Sequence, residues 1–467
     1  MILRNIISTA LLMTLASTGI AAELKLVSPP RTTLTALTVI ATNPSGVTQR
    51  QNADKLFIPA STMKLLTAVS ATAALGKDFR YHTNIYADNP IQDGQIEGDV
   101  YLSFTGDPTL TTEDIQALLD QLKQQGLKHI TGNLYLVGEQ YEIQHAPGRV
   151  WDDLGICYAA PVSSYVLNKN CIQAQFKPRL ADNAGVVELS KNEPVVIVSR
   201  ATFDKSGQRA ICNLTLARFE KNQYRLDGCY PGNKALKLSV AITDPGLYAI
   251  DKLTQSINYN GISINGSITL TQQHAANALL VAQHQSEPLS SLITTMLLKS
   301  DNLIADSLLK RMGQYLFGSS GTFANGSAAM TQILSEQGVD LSSANIVDGS
   351  GLSRYNLLSA NQLAQVLALI QQNEHYKYII DALPVAGITG TLKYRHGYAQ
   401  APLKGQIVAK TGSMLGVVNI AGFIKQNDAL PSIVVILQNG VSPTPVKANV
   451  PTYDVSILKQ LVNNANH

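Results

Sequence analysis

The spacing of apolar positions changes several times along the chain. In "LTALTVIATNPSGVTQRQNADKLFIP", from Leu34, two stretches flank Asn43-Pro44-Ser45-Gly46, which predicts two strands around a turn. Pro59 then opens a helical period. Leu65, Leu66, Val69 and Ala73 share one stripe, with Ser61 near the helix start. From about residue 80 to 285 short alternating runs dominate: "DVYLSFTG", "GNLYLVG", "PVVIVSR", "LKLSVAI", "SINGSITL". One helix interrupts them, with Ile115, Leu118, Leu119 and Leu122 on its stripe, Thr111 or Thr112 as cap and Gly126 as stop. Helices return at about 286. Leu289, Leu292, Ile293, Met296 and Leu297 form one stripe, "NLIADSLLKRMGQYLF" follows, and further helices run to about 383. The chain closes on the strands "GQIVAKTGS", "GVVNIAGFI" and "PSIVVILQNG" and a helix from about Tyr453 to Val462. Strands at both ends with helices between them predict one α/β domain split by a long insertion.

The first residues fall outside this pattern. Arg4 precedes an apolar run from Ile6 to Ala16, and the small residues Ser17, Gly19, Ala21 and Ala22 follow. That is the layout of a secretory signal peptide over residues 1–22, too short for a comfortable membrane span. With 467 residues, 45% hydrophobic and 15% charged, the remainder is globular and multidomain. A net charge of +3 is too mild for a nucleic-acid partner. The four cysteines, Cys157, Cys171, Cys212 and Cys229, cluster in the middle block and mark a sub-domain between about 150 and 235. In an exported chain they imply disulfides. Three pairings are open, and the sequential one, Cys157–Cys171 with Cys212–Cys229, closes the shortest loops. There is no Cys-x-x-Cys and no His-Glu-x-x-His, so the sequence gives no reason to expect a metal or another cofactor.

Candidate chemistry begins at Ser61-Thr62-Met63-Lys64. Ser-x-x-Lys occurs three times, at Ser61/Lys64, Ser307/Lys310 and Ser456/Lys459, so the pattern alone carries no weight. Serine favours helix starts and lysine favours solvated faces. Context separates the three. Ser300-Asp301-Asn302 stands at a junction of two helices, and Lys410-Thr411-Gly412-Ser413 ends a strand that opens a hairpin.

Ser-x-x-Lys, then Ser-x-Asn, then Lys-Thr-Gly resembles the active site of penicillin-binding proteins and serine β-lactamases. The long stretch between Lys64 and Ser300 narrows the resemblance to class C low-molecular-mass penicillin-binding proteins, the D-alanyl-D-alanine carboxypeptidase/endopeptidases of the penicillin-binding protein 4 type. "FTGDPTL" at Phe104, "WDDL" at Trp151, "DGSGLSRYN" at Asp348 and "KTGSMLGVVNIAGF" at Lys410 resemble that group too. The resemblance implies a penicillin-recognising, serine transpeptidase-like core, an antiparallel sheet flanked by helices, over 23–80 and 286–467. A strand-rich insertion would occupy 81–149 and 236–285, with a nested cysteine-bearing part over 150–235.

It also implies a periplasmic serine DD-peptidase. Ser61 is the nucleophile, Lys64 its base, Ser300 a proton relay, and Asn302 holds Lys64. Lys410, Thr411, Gly412 and Ser413 would receive the substrate carboxylate. Asp152, Ser350, Leu352, Arg354 and Met414 would line a pocket for a diaminopimelate side chain. The group often carries an aromatic two residues before Trp151, where this chain has Arg149. Expected partners are peptidoglycan peptides, with β-lactams as covalent inhibitors and at most peripheral membrane contact. A dimer is compatible with the sequence. A β-lactamase or esterase on the same scaffold, or a non-catalytic wall-binding scaffold, are the alternatives. The absence of Glu-x-x-Leu-Asn and Tyr-x-Asn counts against the first. The set Ser61, Lys64, Ser300, Asn302 and Lys410 counts against the second.

Overall fold

The computed structural model describes residues 27–29, 33–41, 48–139, 144–179, 182, 184–190, 192–204, 212–273, 277–426, 429–443 and 451–465. The signal peptide expected over 1–22 and the turn at Asn43-Pro44-Ser45-Gly46 lie outside these residues. Among them, no helix is long and apolar enough to cross a membrane.

The sheet that carries the site is antiparallel and five-stranded. Its order is Ile407–Met414, Val417–Gln426, Ala429–Asn439, Leu34–Ile40, Gln49–Gln51. Successive side chains of a strand face opposite ways. Ile433, Val435 and Leu437 therefore join one core, while Val434 and Ile436 join another. The first core is filled by helices α1 (Lys64–Leu75), α4 (Leu289–Lys299), α5 (Asn302–Phe317), α6 (Phe323–Glu336), α7 (Ala360–Gln372) and the short α8 (Tyr378–Asp381). The second is covered by α9 (Tyr453–Ala465) through Val455, Leu458 and Leu461. An antiparallel sheet between helical layers is the core the sequence implies.

The middle block pairs its strands internally. One mixed sheet runs Ile268–Thr271, Leu134–Val137, Val100–Ser103, His82–Ala87, Leu279–Gln285, with parallel pairing among the first three. α2 (Thr112–Gln124) packs on it, and Thr111 caps α2 in a reciprocal box with Asp114. A second helix, α3 (Pro245–Asn260), stands where the alternation reading placed only strands. Its signals were in the sequence: Asp244 caps, Pro245 takes the first turn and Gly261 ends it at φ 67°. Its stripe is obscured by Lys252, which is buried and paired with Glu193 at 3.2 Å.

The cysteines lie among smaller sheets. Cys157 is bonded to Cys171 and Cys212 to Cys229, the sequential pairing. Leu236–Ala241 pairs with Cys171–Pro178, so the cysteine-bearing sheet continues one strand past residue 235. Each disulfide closes a short loop, worth about 3 kcal/mol in the chain-entropy model. Replacing Cys212 and Cys229 with serine should therefore lower the denaturation midpoint of this part and leave the sheet bearing Lys410 intact. Hydrogen exchange resolved by segment would check it. Equal loss of protection in both parts would contradict it.

Candidate active site

Ser61 does not begin an α-helix directly. It sits in a 3-10 turn, Ala60–Met63, and α1 starts only at Lys64. Ala60 takes φ 47°, a left-handed conformation that costs a non-glycine residue energy. Three contacts hold the turn there. Asn419 Nδ2 donates to the carbonyls of Ile58 and Pro59, both at 2.9 Å. Phe57 N donates to Leu358 O at 2.9 Å. The third contact explains Gly412: a Cβ there would lie 2.7 Å from the Pro59 carbonyl, so only glycine lets the Lys410 strand run this close.

Ser300 and Asn302 follow from a helix junction. α4 ends on Ser300, which adopts φ 57°. Asp301 caps α5, accepting from Ile304 N at 3.1 Å. Asn302 is then the first residue of α5 and can reach inward. Lys410 comes from the strand Ile407–Met414, paired with Ala421.

These elements bring five expected residues together. Lys64 Nζ lies 2.9 Å from Ser61 Oγ, 2.6 Å from Asn302 Oδ1 and 2.6 Å from the Ser350 carbonyl. Lys410 Nζ donates to Ser300 Oγ at 2.9 Å and to the Thr411 carbonyl at 2.8 Å. Both lysines are wholly buried. Burial lowers Lys64 to about 8, against the pull of Asp306, Asp348 and Asp301, while Arg149 assists the lowering. Burial, then Lys64 and Arg395, hold Lys410 well below an ordinary lysine. Burial is thus the leading cause of the lowered Lys64, and Arg149 is the cation that adds to it. The other Ser-x-x-Lys pairs stand elsewhere. Lys310, in α5, donates to the Val162 carbonyl at 2.6 Å and lies over the Phe323 ring. Ser456 and Lys459 lie in α9.

A cavity of about 430 Å³ opens over Ser61, Ser300 and Asn302, and Leu352, Arg354, Ser413 and Met414 also line it. Two expected pocket residues are placed otherwise. Asp152 is solvent-exposed and off the cavity wall, and its neighbour Asp153 lines the cavity instead. Ser350 is buried and contributes its carbonyl to Lys64 rather than a side chain to the pocket. Thr411 shares a hydrogen bond with Thr391 at 2.9 Å. Sequence reasoning also missed Tyr158, which lines the cavity, hydrogen-bonds Asp153, and accepts from Asn302 Nδ2 through its carbonyl at 2.8 Å. It missed Arg395, whose Nη1 reaches Ser413 Oγ at 3.4 Å. Arg149 is no pocket wall: its guanidinium is buried against Asp306.

The chain as a whole is similar to known proteins. Residues 22–459 match the D-Ala-D-Ala carboxypeptidase 3 (S13) family. The chain belongs to that family. Family membership makes it a serine peptidase. Among S13 relatives, D-alanyl-D-alanine carboxypeptidase DacB of Haemophilus influenzae is 32% identical over 82% of this chain and 80% of its own. The D-alanyl-D-alanine carboxypeptidase of Actinomadura sp. is 27% identical over 84% of this chain and 75% of its own. The crystal structure of penicillin binding protein 4 (dacB) from Haemophilus influenzae superposes with a TM-score of 0.86 at 31% identity, covering 93% of this chain and 97% of that one. The same protein complexed with a β-lactam gives 0.82. The multidomain, penicillin-recognising fold expected from the motifs is therefore the fold of this S13 member.

Proposed function

We propose that the chain is a periplasmic serine DD-peptidase that removes the terminal D-alanine from peptidoglycan stem peptides and cleaves D-alanyl-diaminopimelate cross-links. It does so through an acyl-enzyme on Ser61, and β-lactams acylate the same serine. The observation that carries this reading is the set of three neighbours around Lys64 Nζ. Asn302 Oδ1 and the Ser350 carbonyl can only accept. They take two N–H groups of the amine, so the lone pair left by deprotonation points to the third neighbour, Ser61 Oγ, at 2.9 Å.

In the reaction, Ser61 Oγ attacks the carbonyl between two D-alanines and its proton passes to Lys64. The backbone N–H groups of Ser61 and Ser413 receive the oxyanion. Ser300, held by Lys410, passes a proton to the leaving amine as the C–N bond breaks. Lys410, Thr411 and Ser413 receive the terminal carboxylate. Water then attacks the ester, returning Ser61 and releasing the acid. Asp153, Tyr158, Leu352, Arg354 and Met414 take the substrate's side chain. Arg354 and Asp153 offer opposite charges in one cavity, which suits a zwitterionic side-chain terminus such as that of diaminopimelate.

We further propose that catalysis belongs to residues 23–80 with 286–467. The insertion comprises 81–149 with 236–285, and the cysteine-bearing part is centred on 150–235. Internal strand pairing supports this division, with Leu236–Ala241 joining the cysteine-bearing sheet.

The test is mass spectrometry of the protein with benzylpenicillin and with diacetyl-Lys-D-Ala-D-Ala. A lasting penicillin adduct on Ser61 and release of D-alanine are expected. Rapid penicillin turnover would instead mark a β-lactamase, and neither signal would mark a binding scaffold.

A further inference from the structure

Beneath Lys64 lies a cluster of charged groups that the proposed reaction does not use. Asp306 stands one turn after Asn302 on α5, on the same face. It is wholly buried, as is Asp348, and the Arg149 side chain is 3% exposed. Asp306 Oδ2 accepts from Arg149 Nη2. Its Oδ1 accepts from two successive backbone N–H groups, Gly349 and Ser350, each at 2.9 Å. Asp348 fastens the rest of the loop, accepting from Gly351 N, Ser353 N and Asn356 Nδ2, each at 2.7 Å. Thr67 Oγ1 donates to the Gly349 carbonyl at 2.7 Å, tying the loop to α1 as well. The peptide groups of Ser350 are thus spoken for on both sides: its N–H by Asp306, its carbonyl by Lys64.

Such an arrangement is costly. A buried ion pair gains little stability over an apolar packing of the same volume. Arg149 Nε makes no hydrogen bond and stands 3.9 Å from Asp348 Oδ2, so its charge acts on that carboxylate through space. Resting on the reading above that Lys64 is the base, we propose that Arg149, Asp306 and Asp348 are positioning residues for Lys64. The two carboxylates fix the Ser350 carbonyl that orients the amine, and Arg149 offsets their charge so that the amine can release its proton.

The charges facing Lys64 come from several elements. Asp306, Asp348 and Asp301 favour its ammonium form, and Arg149 opposes it. Lys410, on the neighbouring strand, is itself depressed by Lys64. Lys310, one turn beyond Asp306, feels Asp306 and Arg149 in the same senses. Removing one charge at a time therefore predicts opposite outcomes. Asp306→Asn keeps an Oδ1 acceptor for the two N–H groups but loses the negative charge. Lys64 then deprotonates more easily. Arg149→Met leaves two carboxylates uncompensated, and Lys64 holds its proton longer.

The experiment measures the rate of benzylpenicillin acylation against pH for the full chain and its variants. The acid limb should move down by about one pH unit in Asp306→Asn and up by a similar amount in Arg149→Met. Asp306→Ala, which also removes the acceptor, should lower the plateau above the limb by about 10²-fold through misplacement of the amine. Near-native penicillin affinity is expected in all three. Limbs that stay put, or move together, would overturn the proposal, as would an undiminished plateau in Asp306→Ala. If Asp306→Asn does not fold, the direction of the Arg149→Met shift decides. If the wild-type protein forms no adduct, the reading of Lys64 as base fails instead.

Discussion

Ser61→Ala should take up no penicillin and release no D-alanine, while its thermal and denaturant midpoints stay near those of the wild type. In the proposed mechanism both reactions pass through an ester to Ser61 Oγ, and alanine has no atom to form it. Loss of a nucleophile that works as a unit with its base lowers the rate by about 10⁴-fold or more. The fold should not suffer, because Ser61 is only partly buried and its turn is held by others: Asn419, Phe57 and the Gly412 approach. Intact-mass labelling and peptide mapping would check this. Label recovered on Ser307 or Ser456 would refute it. Neither is expected, since Lys310 donates to the Val162 carbonyl and Lys459 lies on α9.

The second large effect concerns pH. Acylation should accelerate as pH rises through about 8, where Lys64 loses its proton and becomes a base. Below that, the neutral fraction falls tenfold per pH unit, so the rate falls with it. A descending limb should also appear where Lys410 becomes neutral and ceases to attract the substrate carboxylate. Because burial holds Lys410 well below an ordinary lysine, this limb should come sooner than the usual lysine range. The two alanine variants separate the roles. Lys64→Ala should abolish acylation by penicillin and by a neutral ester alike, by about 10³-fold or more, since no proton acceptor remains. Lys410→Ala should weaken carboxylate substrates far more than the ester. Stopped-flow acylation across pH with both substrate types would measure both limbs, the descending one in the carboxylate substrate alone. Near-wild-type acylation by Lys64→Ala would assign the base to another group.

The three motifs were legible because each is a short segment whose local structure aims its side chains. Ser61 and Lys64 are one turn apart, Ser300 to Asn302 span a helix junction, and Lys410 to Ser413 follow a strand. The strands of the core sheet were legible as short apolar runs, and their assembly into one antiparallel sheet was legible through the family resemblance. What was not legible depends on contacts between distant segments. No local pattern joins Arg149, Asp306 and Asp348, although Asn302 and Asp306 at helical spacing offered a hint. Asp152 and Asp153 are interchangeable in composition. The turn Trp151–Gly155 rotates successive residues by about a third of a circle, so only one of the two faces the cavity. Ser350 was expected through its side chain, and only the folded loop turns its carbonyl to Lys64. α3 went unseen because Lys252 interrupts its stripe, and its burial rests on contacts with the distant Glu193 carboxylate and Asn192 carbonyl.

The pairing of Leu34–Ile40 with Ala429–Asn439 carries a consequence for the order of assembly. Leu34 lies opposite Asn439, so this ladder joins segments far apart in the sequence. As synthesis proceeds from the N-terminus, Leu37 and Val39 have no partner strand on that side until Ala429–Asn439 has emerged. The strands from His82 to Gln285 wait for nothing beyond themselves, since His82–Ala87 closes against Leu279–Gln285. Contacts distant in sequence form late. The inserted segments can therefore be complete while Ser61 is still far from Lys410. The enzyme becomes competent only after Asn439 has been made, and until then the strand Leu34–Ile40 must be kept from other partners.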